Sequence, residues 1–489
     1  MLEYIRNQFI LYKNRPEINL PLGWKRFNIR NFQLLVAPEL TIYKVKNEYV
    51  TYYLIGVAFH VRYPEINEQD ILNRFPINYD EFLDEIDYLC GNHIIIRETT
   101  DAVILMNDNA AAMKAFYLLN ETGSAEAVAS DPATLKLFYE LKIDRSKEAL
   151  EFYNSDFFKK NKIRLGDKTQ FKNVYQVLPN HYLNISESKI YRFFPRSPKQ
   201  ELSIEESISN VQFYTQNVIK AASRKYNLKC GLTAGWDSRL VLASTKNEQK
   251  EVSYYTFRGS RQKKQQKDIE IATRISENLG LTYEVIDASN PPTDIEIKKI
   301  SENYSIIPLS KFKIVCNGFE SFDKEKDIAL LGVISEIAKN YYESVNVKDG
   351  DSLARAAHFE RFQYVVEHQQ KKFDELKPIC DKYGYDLRDI AHWEQDITNF
   401  AAQGIQYNSY ALRTISPFNS REIIKTLLAT PRNLRDKHRH SYYKKYLGVV
   451  WPELNSFPIN PTLKKRLIVF TKKIGLYGLY KYIAVRIVG

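Results

Sequence analysis

The stretch 228–239 constrains what this chain can fold into more than any other part of its sequence. It begins as a short apolar strand, passes through the small-residue turn Thr233-Ala234-Gly235, and continues into an apolar segment that predicts a helix from Asp237. A tight turn between a strand and a helix gathers backbone N–H groups at the positive end of the helix dipole, which favours an anion. The stretch therefore predicts a phosphate-binding turn.

Polar residues in and after this turn indicate what else it binds. Thr233 and Ser238 add hydroxyl groups that can donate to phosphate oxygens. Asp237 would repel a phosphate by itself, but it can hold a Mg²⁺ ion that also contacts the phosphates. The GxxxxGK[ST] pattern of Walker-type loops does not occur in the chain. The alternative is an ordinary strand–helix turn in which Asp237 only caps the helix.

The segments after this turn alternate between two kinds of pattern. Segments 252–259, 281–287 and 327–332 have the apolar composition of buried strands, whereas 268–280 has helical spacing and ends at glycine. Strands that alternate with helices predict a doubly wound parallel sheet, with its ligand site at the carboxyl ends of the strands. The region from about 351 to 450 is predicted to add helices.

A second carboxylate is expected at the same edge of the sheet. Glu336 follows the apolar segment 327–332 by four residues, and it stands at the start of a helix predicted to reach Tyr342. Two carboxylates that each follow a strand of one parallel sheet favour a shared metal ion. The alternative is that Glu336 stabilises a helix N-terminus by about 0.3–1 kcal/mol.

The first part of the chain predicts a different architecture. Segment 41–61 is rich in Val, Ile, Tyr and Phe in alternation, which is typical of paired strands. Segments 91–98 and 102–108 flank a charged turn and predict a hairpin. The Pro195 and Pro198 pair then indicates a linker.

The linker sets the expected domain boundaries. A capping box at 203–206 predicts a helix that begins after the linker and runs to about Tyr226. We therefore expect one domain at 1–195, a second at 196–460, and a basic amphipathic tail at 461–489. The tail could lie on an anionic membrane surface or pack against its own domain.

Composition limits the remaining classes of function. A chain of 489 residues is long enough for two or three domains. Its four cysteines lie far apart with no CxxC pair, so neither a disulfide framework nor a zinc site is expected. With no apparent signal peptide and no 18-residue apolar run, a cytoplasmic protein is predicted. The net charge of +11 is moderate, and a nucleic-acid partner is not expected.

In this order, these motifs resemble the asparagine synthetase family, whose members cleave ATP between the α and β phosphates. The sequence T-A-G-W-D-S at 233–238 is similar to the family's pyrophosphate loop, and G-V-I-S-E at 332–336 is similar to its G-x-G-x-D-E segment. In the first domain, F-Y at 116–117 and A-S-D at 129–131 resemble parts of the family's glutaminase domain. The resemblance covers roughly residues 50–455.

The resemblance implies that the chain binds ATP and Mg²⁺. Asp237 and Glu336 would hold the metal, and Arg439 falls nearest the position of a lysine that closes over the pyrophosphate. Glu336 and Arg439 are therefore the expected catalytic residues. The expected nucleotide-binding residues are Leu232, Thr233, Ala234, Gly235, Asp237, Ser238, Thr256 and Phe257. For Thr256 and Phe257 the alternative is core packing, and for Arg439 it is a charged surface.

Four residues depart from the family pattern: Leu2, Ala234, Val333 and Asn419. In the family, the glutamine-hydrolysing nucleophile is a cysteine that becomes the first residue after Met removal. Leu2 has no nucleophilic atom, so the first domain is expected to be a degenerate glutaminase, an α+β sandwich of the Ntn-hydrolase type. The family's nucleotide domain implies an adenine nucleotide α-hydrolase-like fold for the second.

The expected activity is ATP-dependent amide formation. A substrate carboxylate, on a small molecule, a peptide or a sugar, would be adenylated with release of pyrophosphate, and ammonia or an amine would then displace AMP. Glycan, peptide or secondary-metabolite biosynthesis are the settings that the resemblance suggests. The alternative is a non-catalytic nucleotide-binding or scaffold protein derived from such an enzyme.

Overall fold

The computed structural model describes residues 7–13, 23–259, 262–289 and 309–459. Within these ranges the chain is a mixed α/β protein, with antiparallel sheets in its first part and a parallel sheet in its second. Leu2 and the predicted tail at 461–489 lie outside the described residues.

The first part contains two antiparallel sheets. Their strands are β1 (Phe9–Lys13), β2 (Lys25–Ile29), β3 (Phe32–Val36), β4 (Ile42–Lys46), β5 (Val50–His60), β6 (Leu89–Thr99), β7 (Val103–Asn107), β8 (Phe116–Leu119), β9 (Ala125–Ala129), β10 (Val174–Gln176), β11 (His181–Asn184) and β12 (Lys189–Arg192). One sheet has the order β10-β8-β9-β1-β3-β2 and the other β12-β11-β7-β6-β5-β4. Phe9 and Leu34 from the first sheet pack against Ile55 and Ile94 from the second.

The second of these sheets is buried on both faces. The predicted hairpin is confirmed, because β6 and β7 pair antiparallel with Glu98 opposite Val103. Successive side chains point to opposite faces of a strand. Ile94 and Ile96 accordingly join the core between the two sheets, while Ile95 joins a core that continues into the second part of the chain. This sheet is therefore the layer that connects the two parts.

The described helices lie between and after these strands. In the first part they are Glu68–Asn73, Tyr79–Ile86, Pro132–Lys136, Lys147–Asn154 and Asp156–Asn161. In the second part they are Ile204–Ser223, Trp236–Ser244, Gln262–Leu279, Leu309–Gly318, Gly350–Ala356, Gln363–Tyr383, Leu387–His392, the π-helix Trp393–Ala401, Ala402–Ala411, Arg421–Ala429 and Ser441–Val450. The predicted capping box is present at Ser203, although the helix that it starts ends at Ser223.

The predicted parallel sheet is confirmed. Its strands are β13 (Asn227–Gly231), β14 (Val252–Arg258), β15 (Tyr283–Asp287), β16 (Asp327–Leu330) and β17 (Thr414–Ile415). They are all parallel, in the order β15-β14-β13-β16-β17. The chain builds outward from β13 to β15 and then crosses to the other side of β13. The strand order thus reverses between β13 and β16, and such a reversal opens a crevice at the carboxyl ends of the strands.

The prediction of a helix from Glu336 to Tyr342 is wrong. Only the single 3₁₀ turn Ser335–Ala338 forms there. Ile334 has a φ of 76°, which turns the backbone sharply before this element, and Lys339 is already extended at φ −103° and ψ 140°. The short turn leaves the side chain of Lys339 free to reach the start of helix Trp236–Ser244.

Buried polar contacts join the two parts of the chain. Asn419, one of the departures from the family pattern, donates through Nδ2 to the carbonyl of Gly91 at 2.6 Å and to Asp108 Oδ1 at 2.8 Å. Trp393 Nε1 donates to the carbonyl of Asn109 at 2.7 Å. Because these groups have left water, their hydrogen bonds fix how the two parts meet.

All four cysteines fall in the described part of the chain, and none of them forms a disulfide. Of the helices in that part, none combines the length and the apolar character that crossing a membrane requires.

A substitution at Gly332 tests how closely the segment after β16 approaches helix Trp236–Ser244. A Cβ atom on Gly332 would lie 2.2 Å from the carbonyl oxygen of Asp237. Because backbone would have to move, we expect Gly332→Ala to lower the free energy of unfolding by about 1–3 kcal/mol. Urea titration measures this. Gly404→Ala is the control, since nothing lies within 4 Å of its added Cβ. A loss no larger than in the control contradicts the close approach.

Candidate active site at the carboxyl ends of the parallel strands

The turn after β13 leads directly into helix Trp236–Ser244. Gly235 is the N-cap residue of this helix, and it makes no side-chain capping bond. Asp237 lies in the first turn of the helix rather than at the cap position. The capping role considered as an alternative for Asp237 is thus not the arrangement that forms, and its carboxylate makes other contacts.

Three donors surround the Asp237 carboxylate. Lys339 Nζ lies 2.8 Å from Oδ1 and 3.1 Å from Oδ2, the Ser335 hydroxyl lies 3.1 Å from Oδ1, and the Tyr443 hydroxyl lies 3.0 Å from Oδ1. Ser335 and Lys339 come from the segment after β16, whereas Tyr443 belongs to helix Ser441–Val450. The side chain of Lys339 is only 8% exposed, and that of Asp237 is 31% exposed. The crevice between β13 and β16 therefore holds a carboxylate–ammonium pair.

Two further carboxyl groups belong to this crevice. Burial and the nearby Asp237 carboxylate raise the pKa of Glu336 to about 7, against an opposing effect of Lys339. Burial also raises the pKa of Asp396 to about 7, and the charge of Glu336 adds to that rise. The Tyr342 hydroxyl donates to Asp396 Oδ2 at 3.0 Å. The site thus contains carboxyl groups that exchange protons near neutral pH.

Aromatic rings pack beside the residues of the site. Trp236 packs against His440 at 5.2 Å between ring centroids, and Tyr341 stacks on His392 at 4.8 Å. Burial lowers the pKa of His392 to about 3, and the charge of Lys339 acts in the same direction. This imidazole is therefore neutral at physiological pH and can offer either a donor or an acceptor.

Internal hydrogen bonds hold the predicted phosphate turn in shape. The Ala234 N–H donates to Asp268 Oδ1 at 3.0 Å, and the Gly235 N–H donates to Thr233 Oγ1 at 3.2 Å. The Thr233 and Ser238 hydroxyl oxygens lie 2.8 Å apart. A phosphate that enters the turn would exchange these contacts for its own oxygens.

The remaining nucleotide-binding candidates lie beside this turn. The Thr256 hydroxyl donates to the carbonyl of Leu232 at 2.6 Å and accepts from the Tyr283 hydroxyl at 2.9 Å. Phe257 is half-buried and packs on Tyr255, with 4.9 Å between the ring centroids. These contacts show packing roles for both residues, and their contact with a nucleotide stays a prediction.

The structure brings a different cation to the site than the sequence suggested. The side chain of Arg439 is 83% exposed, and its nearest acidic partner is Asp436 at 3.7 Å. The ring of its neighbour His440 does contact the turn 233–238, because it packs against Trp236. Lys339, which sequence reasoning missed, is the residue that contacts Asp237. The sequence does place Lys339 three residues after Glu336, but the helix predicted for this segment gave no reason to expect a contact with Asp237.

The donor set fits magnesium that arrives with a phosphate ligand. No group of three or more His, Cys, Asp or Glu side chains suited to a metal occurs among the residues that the structure describes. Magnesium commonly takes one or two protein carboxylates and completes its shell with phosphate oxygens and water. Asp237 and Glu336 are the two carboxylates that could form such a pair, and a divalent cation would relieve the repulsion between them.

Comparisons with known proteins add little to this description. No family model and no curated protein matches the chain. Among solved structures, a glutamine-dependent NAD⁺ synthetase from Acinetobacter baumannii with bound ADP is 17% identical with a TM-score of 0.17, over 28% of this chain and 24% of that one. A glutamine phosphoribosylpyrophosphate amidotransferase from B. subtilis with ADP and GMP is 11% identical with a TM-score of 0.22, over 75% and 74%. Neither TM-score reaches the range in which a shared fold is established.

The raised pKa of Glu336 predicts how stability depends on pH. Between its ordinary value of 4.5 and about 7, folded Glu336 keeps a proton that the unfolded chain has released. Stability contributed by this group is therefore lost as the pH rises through that range. We expect Glu336→Gln to be more stable than the wild type at pH 8 by about 1–3 kcal/mol, with a smaller difference at pH 5.

Urea titrations at pH 5 and pH 8 in EDTA measure this difference. The exposed Glu284→Gln is the matched control, and we expect it to follow the wild type at both pH values. Equal behaviour of Glu336→Gln and the wild type at both pH values contradicts a strongly perturbed Glu336.

Proposed function

We propose that this chain is an ATP-dependent, AMP-forming carbon–nitrogen ligase. In this proposal a substrate carboxylate attacks the α phosphorus of ATP, pyrophosphate leaves, and ammonia or an amine then displaces AMP to form an amide. The observation that carries the proposal is the meeting of Asp237, Glu336 and Lys339 in the crevice where the strand order reverses. Open parallel sheets commonly bind their ligands in such a crevice.

The site residues divide naturally between the phosphates and the metal. The turn 233–238 would receive phosphate oxygens at the start of helix Trp236–Ser244. Asp237 and Glu336 would hold the Mg²⁺ that accompanies ATP, and that ion would neutralise charge on the departing pyrophosphate. Lys339 would exchange its contact with Asp237 for a phosphate oxygen and so place an ammonium where negative charge develops.

A second pair of residues suits the amide-forming step. Asp396 has a pKa near 7 and accepts a hydrogen bond from Tyr342. A base with a pKa close to the working pH is well matched to removing a proton from an attacking amine. We assign this role to Asp396, with Tyr342 as the residue that positions it.

The substrates are proposed only as chemical classes. The carboxylate belongs to a small molecule, a peptide or a sugar, and the nitrogen comes from ammonia or a substrate amine.

One observation favours the alternative of a non-catalytic nucleotide-binding or scaffold protein. Lys339 already neutralises Asp237, and the N–H groups of Ala234 and Gly235 already have partners within the chain. A protein that had lost catalysis could keep this internally satisfied arrangement. Turnover of ATP separates the two functions.

The products of ATP turnover test the proposal. We expect AMP and pyrophosphate, formed only when a suitable carboxylate is present, because in this proposal Asp237 and Glu336 would hold the metal on pyrophosphate. Chromatography of nucleotides across a panel of carboxylic acids and amines measures this. ADP as the product contradicts the mechanism, and tight ATP binding without AMP across the panel supports the non-catalytic alternative.

A pair of variants in the same assay identifies the cation that acts on the phosphates. We expect Lys339→Met to lower kcat about 10²-fold or more, because it removes a buried ammonium from the site of developing charge. Arg439→Gln is the matched control and should change kcat much less. A large loss in Arg439→Gln with near-normal turnover in Lys339→Met would restore the assignment made from the sequence.

A further inference from the structure

A separate cavity lies between the edge of the antiparallel sandwich and helix Gln363–Tyr383. It has a volume of about 350 Å³ and shares no lining residue with the candidate active site. An adjoining cavity of about 340 Å³ shares the side chains of Lys168, His368 and Lys371 with it. Volumes of this size are typical of sites for small molecules.

The floor of this cavity is an ionic network whose charges cancel. Arg192 donates to Glu375 at 2.7 Å and to Glu394 at 2.6 and 2.9 Å, and Lys372 lies 3.2 Å from Glu375 and 2.7 Å from Glu394. The His181 ring contacts the same Glu375 carboxylate at 3.2 Å. Two cations thus face two carboxylates, so this floor has no net charge to offer a ligand.

Two lysines at the cavity wall differ from those of the floor. No Asp or Glu within the described ranges lies within 4.0 Å of the ammonium group of Lys168 or Lys371. Lys168 instead lies over the Tyr175 ring at 4.6 Å. The nearby Asp167 carboxylate faces His368, at 3.8 Å from Nδ1. The wall therefore presents two ammonium groups without a carboxylate partner.

The loop that carries Lys168 is held firmly in place. Gly166 has a φ of 52°, and a Cβ atom there would lie 2.2 Å from His368 Nε2. Its N–H donates to Gln395 Oε1 at 2.7 Å, and its carbonyl accepts from Asn399 Nδ2 at 2.9 Å. Because these partners are buried, Lys168 is presented from a preorganised loop.

A buried amide in the cavity wall lacks partners. Gln176 is 1% exposed, and neither its Nε2 nor its Oε1 has a hydrogen-bond partner among the described residues. A buried amide without partners costs roughly 1–3 kcal/mol. Gln176 is also one of the residues that line the cavity.

We propose that this cavity binds a small organic phosphate. Its phosphate group contacts Lys168 and Lys371, and its polar body reaches the Gln176 amide. A phosphate monoester carries a charge of about −1.5 to −2 at pH 7, and the two ammonium groups outnumber Asp167, the one carboxylate of the lining outside the ionic network. Lysine binds phosphate as a point charge, and the apolar side chains of Leu178 and Ile190 leave room for carbon atoms. This site does not depend on the proposed ligase function.

Isothermal titration calorimetry on the full chain tests the proposal. The probes are glucose 6-phosphate, UMP and inorganic phosphate, with glucose and uridine as uncharged counterparts. We expect at least one phosphate ester to bind at micromolar to low millimolar concentration, and its uncharged counterpart not to bind. Binding of inorganic phosphate as tightly as either ester overturns the role of Gln176, and the absence of ester binding at 10 mM (roughly the weak limit of a small-molecule site) overturns the site.

Three variants locate the binding. We expect the double variant Lys168→Gln, Lys371→Gln to weaken ester binding at least tenfold (about 1.4 kcal/mol), and Gln176→Leu to weaken the ester but not inorganic phosphate. Lys377→Gln, on the same helix but outside the cavity, should change nothing. Thermal melts check that each variant is folded. Ester affinity that survives the double variant but is lost in Asp237→Asn overturns the proposal, because it places the ligand at the strand ends.

Discussion

The contact between Asp237 and Lys339 is the interaction on which the candidate active site depends. It joins the helix that follows β13 to the segment that follows β16, across the point where the strand order reverses. A largely buried ammonium is costly without a partner, so the carboxylate and the lysine stabilise each other's position. Gly332 allows this approach because it has no side chain to collide with the Asp237 carbonyl.

The π-helix Trp393–Ala401 links this site to the first part of the chain. Glu394 accepts hydrogen bonds from Arg192 at the floor of the cavity beside helix Gln363–Tyr383, and Gln395 holds the loop at Gly166. The next residue, Asp396, contacts Tyr342 beside Glu336. A π-helix is uncommon and often marks a functional region. Here its wider turn places neighbouring residues in two different environments, one on each side of the junction between the two parts of the chain.

Part of this arrangement can be predicted from the sequence, because it depends on residues that are neighbours in the chain. Apolar periodicity and the glycine ends of segments predict β13, β16 and the hairpin of β6 and β7, because these features depend on neighbouring residues. The meeting of Asp237 and Glu336 at one edge follows from the parallel sheet that these segments imply. Capping at Ser203 is equally local and forms as predicted.

The parts that could not be predicted depend on distant contacts. Apolar spacing favours a helix after Ile334, but that residue takes a φ of 76° and the helix does not form, so Lys339 turns toward Asp237. Nothing near Asn419 in the sequence indicates that its amide binds the carbonyl of Gly91. The exposed position of Arg439 likewise follows from packing of the whole second part rather than from its own neighbours.

A crystal structure with Mg²⁺ and the non-cleavable analogue α,β-methylene-ATP tests the central claim most directly. The account predicts triphosphate oxygens in the turn 233–238, a metal ion between Asp237 and Glu336, and Lys339 moved from the Asp237 carboxylate to a phosphate oxygen. A nucleotide bound elsewhere, with the pair of Asp237 and Lys339 intact, would contradict it.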